Sequence, residues 1–285
     1  MLNEVYVSRK LKEVEEFEEG IDERLRKLNE LIERRIEKFR VMDFVPKGIV
    51  ADFGTGIGTD LISLCRLCDD VELIGVDITS KGLKVAKDLL SREKKGFHLV
   101  RADAVFPPFR EKILDAVNFS NVLHHHPFSL LERIFGEVDR MSKRDSLMLI
   151  AEPSYLDESY EFSMETNRIN NGVRDLQKLS SVCNLKDLRK IGYYLHVFGY
   201  YGNVCPSILK RVLEKYGFKI AKTRVVAESE GTNEVADESK KDIASLSLDE
   251  GAKEYLTERL EDLKKKYSMT NALYEFTSYV KAVRD

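Results

Sequence analysis

The chain has 285 residues, enough for a substantial core, and one domain carrying insertions fits that length better than two independent domains. Its 46 basic and 49 acidic residues are interspersed and leave a net charge of -3, so no global positive field gathers a polyanion and general nucleic-acid binding is not expected. No apolar run reaches the roughly 17 to 25 residues of a membrane-spanning helix. The first residues do not read as a secretion signal, so the expected location is cytoplasmic.

Apolar residues at Leu11, Val14, Phe17, Ile21, Leu25, Leu28, Ile32, Ile36 and Phe39 recur at steps of three and four, the pattern of a long amphipathic helix broken near Gly20. Its stripe could pack on the domain, lid a ligand or pair two subunits as a homodimer. We divide the chain into an N-terminal helical extension, 1–44, and a main domain, 45–285. In the latter, GIVADFG ends in glycine turns and a helix follows from Asp60 to Cys68. VELIGVD runs to Asp77, with a helix from Ser80 to Leu90 behind it. FHLVRAD runs to Asp103, ILDAVNFS to Ser120, a helix spans 130–140, and SLMLIAEP is a fifth strand. This is the rhythm of a largely parallel sheet covered by helices on both faces.

Residues 154–205 interrupt the rhythm with many aromatics, including Tyr193, Tyr194, His196 and Tyr200, and read either as a cap over a pocket or as a subdomain seam. A helix from Pro206 stops at Gly217, and KIAKTRVV is a sixth strand. A second insertion, 227–270, holds an acidic loop to Glu250 and a helix over 255–267. ALYEFTSYVKAV makes a seventh strand whose mixed polarity suits an antiparallel place beside the sixth. The cysteines at 65, 68, 183 and 205 are too few for a disulfide scaffold. Cys65 and Cys68 form a CxxC inside a helix, where that spacing also suits packing; no second pair follows, and no metal site is expected.

The strongest local signal is ADFGTGIGTD. Gly54, Gly56 and Gly58 follow a buried strand and open a helix, letting backbone approach a ligand closely. Asp52 before them could bind a positively charged amino-acid group but would oppose a pyrophosphate. Asp77 at the end of the second strand could accept bonds from ribose hydroxyls, with Ile78 beside it. Asp103 and Ala104 could meet an adenine ring. Ligands of open α/β sheets gather along this rim.

These stretches resemble the class I S-adenosylmethionine-dependent methyltransferases, in the small-molecule branch called methyltransferase type 11. VADFGTGIGTD is similar to the first cofactor motif, RADAVFPPF to the adenine-side motif and LDAVNFSNVLHHHP to the fourth-strand motif. The resemblance covers about 45–155 and implies a Rossmann-like, seven-stranded, mostly parallel sheet with an antiparallel last strand. It also implies S-adenosylmethionine as cofactor, the backbone of Gly54, Thr55 and Gly56 beside its amino-acid portion, Gly58 among the cofactor-binding residues, and Asn118 and Ser120 near its sulfur. The fourth strand lacks the Asn/Asp-Pro-Pro-aromatic pattern of nucleic-acid and protein amide or amine methylators. A small, partly apolar acceptor is therefore the leading expectation. Protein or RNA methylation, nicotinamide-dependent hydride transfer and a non-catalytic cofactor-binding scaffold remain as alternatives.

Methyl transfer rests mainly on positioning, and a base is needed only where the acceptor must lose a proton. His125 and His126, after the fourth strand, and His196 and Tyr193, in the aromatic insertion, are the candidates. The competing reading of the run His124–His126 is that it packs and caps its turn.

Overall fold

The computed structural model describes residues 2–93, 95–126, 128–154, 206–231, 237, 240–241, 243–245, 250–267 and 273–284. The aromatic insertion, with Tyr193 and His196, therefore lies outside the described residues except at Ser154. The N-terminal stripe forms three helices rather than one: α1 (Leu2–Glu19), α2 (Ile21–Arg26) and α3 (Leu28–Val41), separated at Gly20 and Lys27. Strands β1 (Gly48–Phe53), β2 (Val71–Asp77), β3 (Phe97–Arg101), β4 (Leu114–Ser120) and β5 (Ser142–Ser154) alternate with helices α4 (Thr59–Leu67), α5 (Ser80–Leu90) and α6 (Phe128–Met141). Helix α7 (Pro206–Lys215), β6 (Phe218–Gly231), α8 (Glu250–Tyr267) and β7 (Leu273–Arg284) complete the described elements.

The sheet order is β3-β2-β1-β4-β5-β7-β6. Strands β1 to β5 pair in parallel, and β7 inserts antiparallel between β5 and β6. This is the seven-stranded arrangement expected from the sequence. Several boundaries differ: β3 ends at Arg101 rather than Asp103, β5 starts at Ser142 rather than Ser146, and the helix expected from 255 starts at Glu250. Residues 228–231, assigned to the acidic loop, continue β6, because Glu228 pairs with Glu275 and Gly231 with Leu273 on the long final strand.

Period-two alternation divides the core between the sheet's two faces. Ala51 and Phe53 of β1 and Val117 and Phe119 of β4 pack with Leu131, Ile134, Phe135 and Val138 of α6 and with Leu209 and Leu213 of α7. Phe53 stacks on Phe119 with ring centroids 5.1 Å apart. Val50 and Ala116 point the other way, onto Ile32, Ile36 and Phe39 of α3, Leu61 and Leu64 of α4 and Leu90 of α5. The apolar stripe of α3 is thus spent within the chain. Cys65 and Cys68 are buried in this second cluster, and burial pushes the Cys68 thiol up to about 11. No described helix is long and apolar enough to cross a membrane.

Candidate active site

Gly54 turns the chain at the end of β1 with φ +71°. A Cβ there would stand 2.1 Å from Val122 Cγ2, so only glycine lets the ends of β1 and β4 come this close. The turn's donors are used internally: Gly54 and Thr55 N–H donate to the Val76 carbonyl, Gly58 N–H to that of Thr55, and Gly56 N–H to Asp77 Oδ2 at 2.7 Å. Asp77 Oδ1 accepts from Thr79 N–H and its hydroxyl. Four amides of the turn, those of Gly54, Thr55, Gly56 and Gly58, are therefore committed, whereas the Asp77 carboxylate oxygens retain lone pairs for further hydroxyl donors.

A cavity of about 310 Å³ opens beside this turn. Gly54, Val76, Asp77, Ile78, Thr79, Ala102, Asp103 and Ala104 form its sheet side, and Asn121, Val122, His125 and His126 line the end after β4. Asp103 Oδ1 accepts from Val105 N–H at 2.9 Å and faces His126 Nε2 at 3.6 Å. Burial pushes its carboxyl upward, but these donors and the imidazole outweigh burial and hold it at about 2.

Helix α1 roofs the cavity. Lys10, Glu13, Val14, Glu16 and Phe17 line it, joined by Arg24 of α2. Phe17 lies over the glycine turn, its Cζ 2.8 Å from where a Cβ on Gly56 would stand, and Arg24 stacks on its ring. The far end of α1 is fixed to the start of α5, where Lys81 N–H donates to Glu18 Oε1 and Lys81 Nζ to the Glu18 carbonyl, each at 3.0 Å.

The three consecutive histidines have different partners, although the ring centroids of His124 and His125 lie 4.0 Å apart. His124 Nδ1 meets Glu152 Oε2 at 2.8 Å, while Glu152 Oε1 accepts from Val122 and Leu123 N–H. Glu152 is 2% exposed at the rim end of β5. Burial raises its carboxyl, yet His124 and the two amides outweigh that and keep it below the usual range. His126 is buried, with Nδ1 3.1 Å from the Val122 carbonyl and Nε2 facing Asp103. His125 alone is half-exposed, on the cavity wall toward α1. Its Nδ1 is 3.7 Å from Glu13 Oε1, and Lys10 Nζ donates to its carbonyl at 3.0 Å. Burial is the largest influence on its imidazole and lowers its proton affinity, against an opposing pull from Glu13.

Of the expected cofactor residues, Gly54, Asp77, Ile78, Asp103 and Ala104 line the cavity, whereas Asp52, Thr55, Gly56, Gly58, Asn118 and Ser120 lie outside its wall. Alternation along β1 and β4 turns Asp52, Asn118 and Ser120 toward α3 instead. There Lys38, 3% exposed, donates to Ser120 Oγ at 2.7 Å and to Asp60, and Asn118 Nδ2 donates to Asp52 Oδ1 at 2.7 Å. Burial, then the charge of Asp60, pushes the Asp52 carboxyl up to about 7, and burial pulls Lys38 down to about 8. Asp52 Oδ2 and Asn118 Oδ1 are buried without a hydrogen-bond partner.

Residues 50–145 match the family model described as a methyltransferase domain. The chain carries a methyltransferase domain. No curated protein matches the sequence. Among solved structures, a candidate methyltransferase of Bacillus halodurans superposes with a TM-score of 0.56 at 16% identity, covering 87% of this chain and 97% of that one. The [4+2]-cyclase SpnF gives 0.54 at 13%, covering 89% and 80%. Geranyl diphosphate C-methyltransferase of Streptomyces coelicolor gives 0.52 at 12%, covering 87% and 78%. At these identities the likeness is one of fold, and the cyclase demonstrates that this fold hosts more than one chemistry.

The methyltransferase domain's residues fit S-adenosylmethionine, the cofactor of the family. Asp77 and Asp103 stand along one wall at the strand ends, where Asp77 suits ribose hydroxyls and Asp103 an adenine amino group. Among the described residues, no group of three or more histidine, cysteine, aspartate or glutamate side chains is placed to hold a metal ion.

The sequence reading missed Glu13, Lys38 and Glu152. Lys38 looks like any charge on an amphipathic helix, and only the tertiary fold buries it. Glu152 carried a usable signal, since it sits at the end of a strand on the same rim as Asp77.

Proposed function

We propose that the chain transfers a methyl group from S-adenosylmethionine to a small, partly apolar acceptor. The observation that carries this reading is the wall of Gly54, Asp77, Asp103 and Ala104 in one cavity, combined with a glycine turn whose amides are already committed. Asp77 suits the ribose hydroxyls and Asp103 the amino group of an adenosine, which a dinucleotide also carries, so the preference for a nucleoside joined to an amino acid rests on the turn, where the Gly54, Thr55, Gly56 and Gly58 amides are already bonded.

The roof supports a small acceptor. Val14, Phe17 and Val122 give the cavity apolar surface, and α1 restricts the access that a folded protein or RNA would need. Bound there, the cofactor supplies an electrophilic methyl group. The chain's part is to align the acceptor, exclude water and, for an acceptor that must lose a proton, remove it. His125 suits that last task, because its ring reaches the cavity and burial favours its neutral form. His124 and His126 hold the turn in place.

Incubation with S-adenosylmethionine labelled on the methyl group and a fractionated cell extract tests the reading. Label is expected in the small-molecule fraction and not in protein or RNA. Label confined to a macromolecular fraction overturns the acceptor assignment, and no transfer despite cofactor binding overturns the activity.

A further inference from the structure

The pairing between α1 and the turn after β4 deepens that reading and rests on it. We propose that Glu13, on the roof helix, is a positioning residue that orients His125 as the proton acceptor, so that the base is assembled only when α1 covers the cavity.

Three observations converge. Glu13 and His125 both line the cavity, one from α1 and the other from the turn after β4. Glu13 Oε1 faces His125 Nδ1 at 3.7 Å, a separation that a small closing movement brings to hydrogen-bond length, as is common for catalytic pairs before substrate binds. The neighbouring lysine reinforces the register: Lys10, one helical turn before Glu13, donates to the backbone carbonyl of His125 and forms an ion pair with Glu13 at 3.3 Å. The two contacts hold one residue of the turn at both its main chain and its ring.

A carboxylate on Nδ1–H fixes the tautomer that leaves Nε2 as the acceptor. In the step itself, the acceptor's hydroxyl or amine proton passes to Nε2 as its lone pair forms the new bond to carbon. The carbon–sulfur bond breaks with its electron pair remaining on sulfur, which changes from sulfonium to neutral thioether. The imidazolium, steadied by Glu13, then releases its proton to water. Among the described residues, the charged and titratable groups facing this imidazole are Glu13 and Lys10 on α1 and His124 on its own turn, whose ring centroid is 4.0 Å away. Among them only Glu13 favours the protonated ring.

The test compares wild type with Glu13→Gln and Glu13→Asp. Histidine ring signals are titrated by NMR, with His125→Asn assigning the resonance, and transfer from labelled S-adenosylmethionine into the small-molecule extract is followed against pH. In Glu13→Gln the His125 midpoint is expected to fall by about half a pH unit or more. Maximal transfer falls about tenfold, the acid limb moves to lower pH, and the KM for S-adenosylmethionine stays unchanged; Glu13→Asp restores most of the rate. An unmoved midpoint with a rate within twofold of wild type overturns the proposal. So does a loss carried wholly by the cofactor KM, which makes Glu13 a cofactor contact. Absence of transfer by wild type is instead a failure of the methyl-transfer reading, and the NMR titration still decides whether Glu13 governs His125.

Discussion

Asp52 shows how a single residue can be legible as an identity and illegible as a position. Its place before the glycine turn marks the motif, but strand alternation directs its carboxylate beneath the site, into the buried group formed by Lys38, Asp60, Asn118 and Ser120. That burial has a pH signature. The folded carboxyl is raised to about 7, above its unfolded value, so between those values the folded state binds the extra proton and stability falls as pH rises. Asp52→Asn removes this dependence. Urea unfolding is expected to find the variant gaining on wild type by on the order of 2–3 kcal/mol between pH 5 and pH 8, with the difference vanishing only near the unfolded value, about pH 4. Equal stabilities at both pH values contradict the assignment of the raised group to Asp52.

At the scale of elements, the strands and helices of the sheet could be read from periodicity alone. The limits of β2 and α5 agree with the sequence expectation, because a buried apolar run and a helical stripe each have their own period. The break at Gly20 was legible for the same reason, but the role of α1 was not. An amphipathic stripe identifies a helix with an apolar face and carries no information about what lies under it. Here the face covers a cavity, with Phe17 set over Gly56 and Gly82. As a wall of the cofactor site, Phe17 contributes apolar contact that alanine cannot, and Phe17→Ala is expected to weaken S-adenosylhomocysteine binding about tenfold. Calorimetry decides between a wall and a plug: unchanged or tighter binding means that the ring obstructs the site instead of closing it.

For the whole molecule, α3 shares one of the two core clusters with the sheet, and Lys38 joins them through charge. Ile32, Ile36 and Phe39 pack against β1, α4 and α5, while Lys38 between them reaches Asp60 at the start of α4 and Ser120 at the end of β4. Removing one partner of a buried pair leaves the other uncompensated, which typically costs about 3–5 kcal/mol. Lys38→Met is expected to lose about 3 kcal/mol in denaturant unfolding, reduced because Arg35 also contacts Asp60 at 3.3 Å. Adding Asp60→Asn should recover part of the loss; strictly additive losses contradict a coupled pair. Sequence patterning could not reveal this tie, because it depends on which of several helix charges the packing carries inward.

The central claim, that the cavity under α1 takes a nucleoside joined to an amino acid rather than a dinucleotide, is tested most directly by calorimetric titration of cofactor-free protein with S-adenosylhomocysteine and, in parallel, NADH. Saturable binding of S-adenosylhomocysteine at micromolar or lower concentration, without binding of NADH, is the predicted result. Binding of NADH alone would mean that the committed amides of the glycine turn do not exclude a pyrophosphate, and would contradict the account at its base.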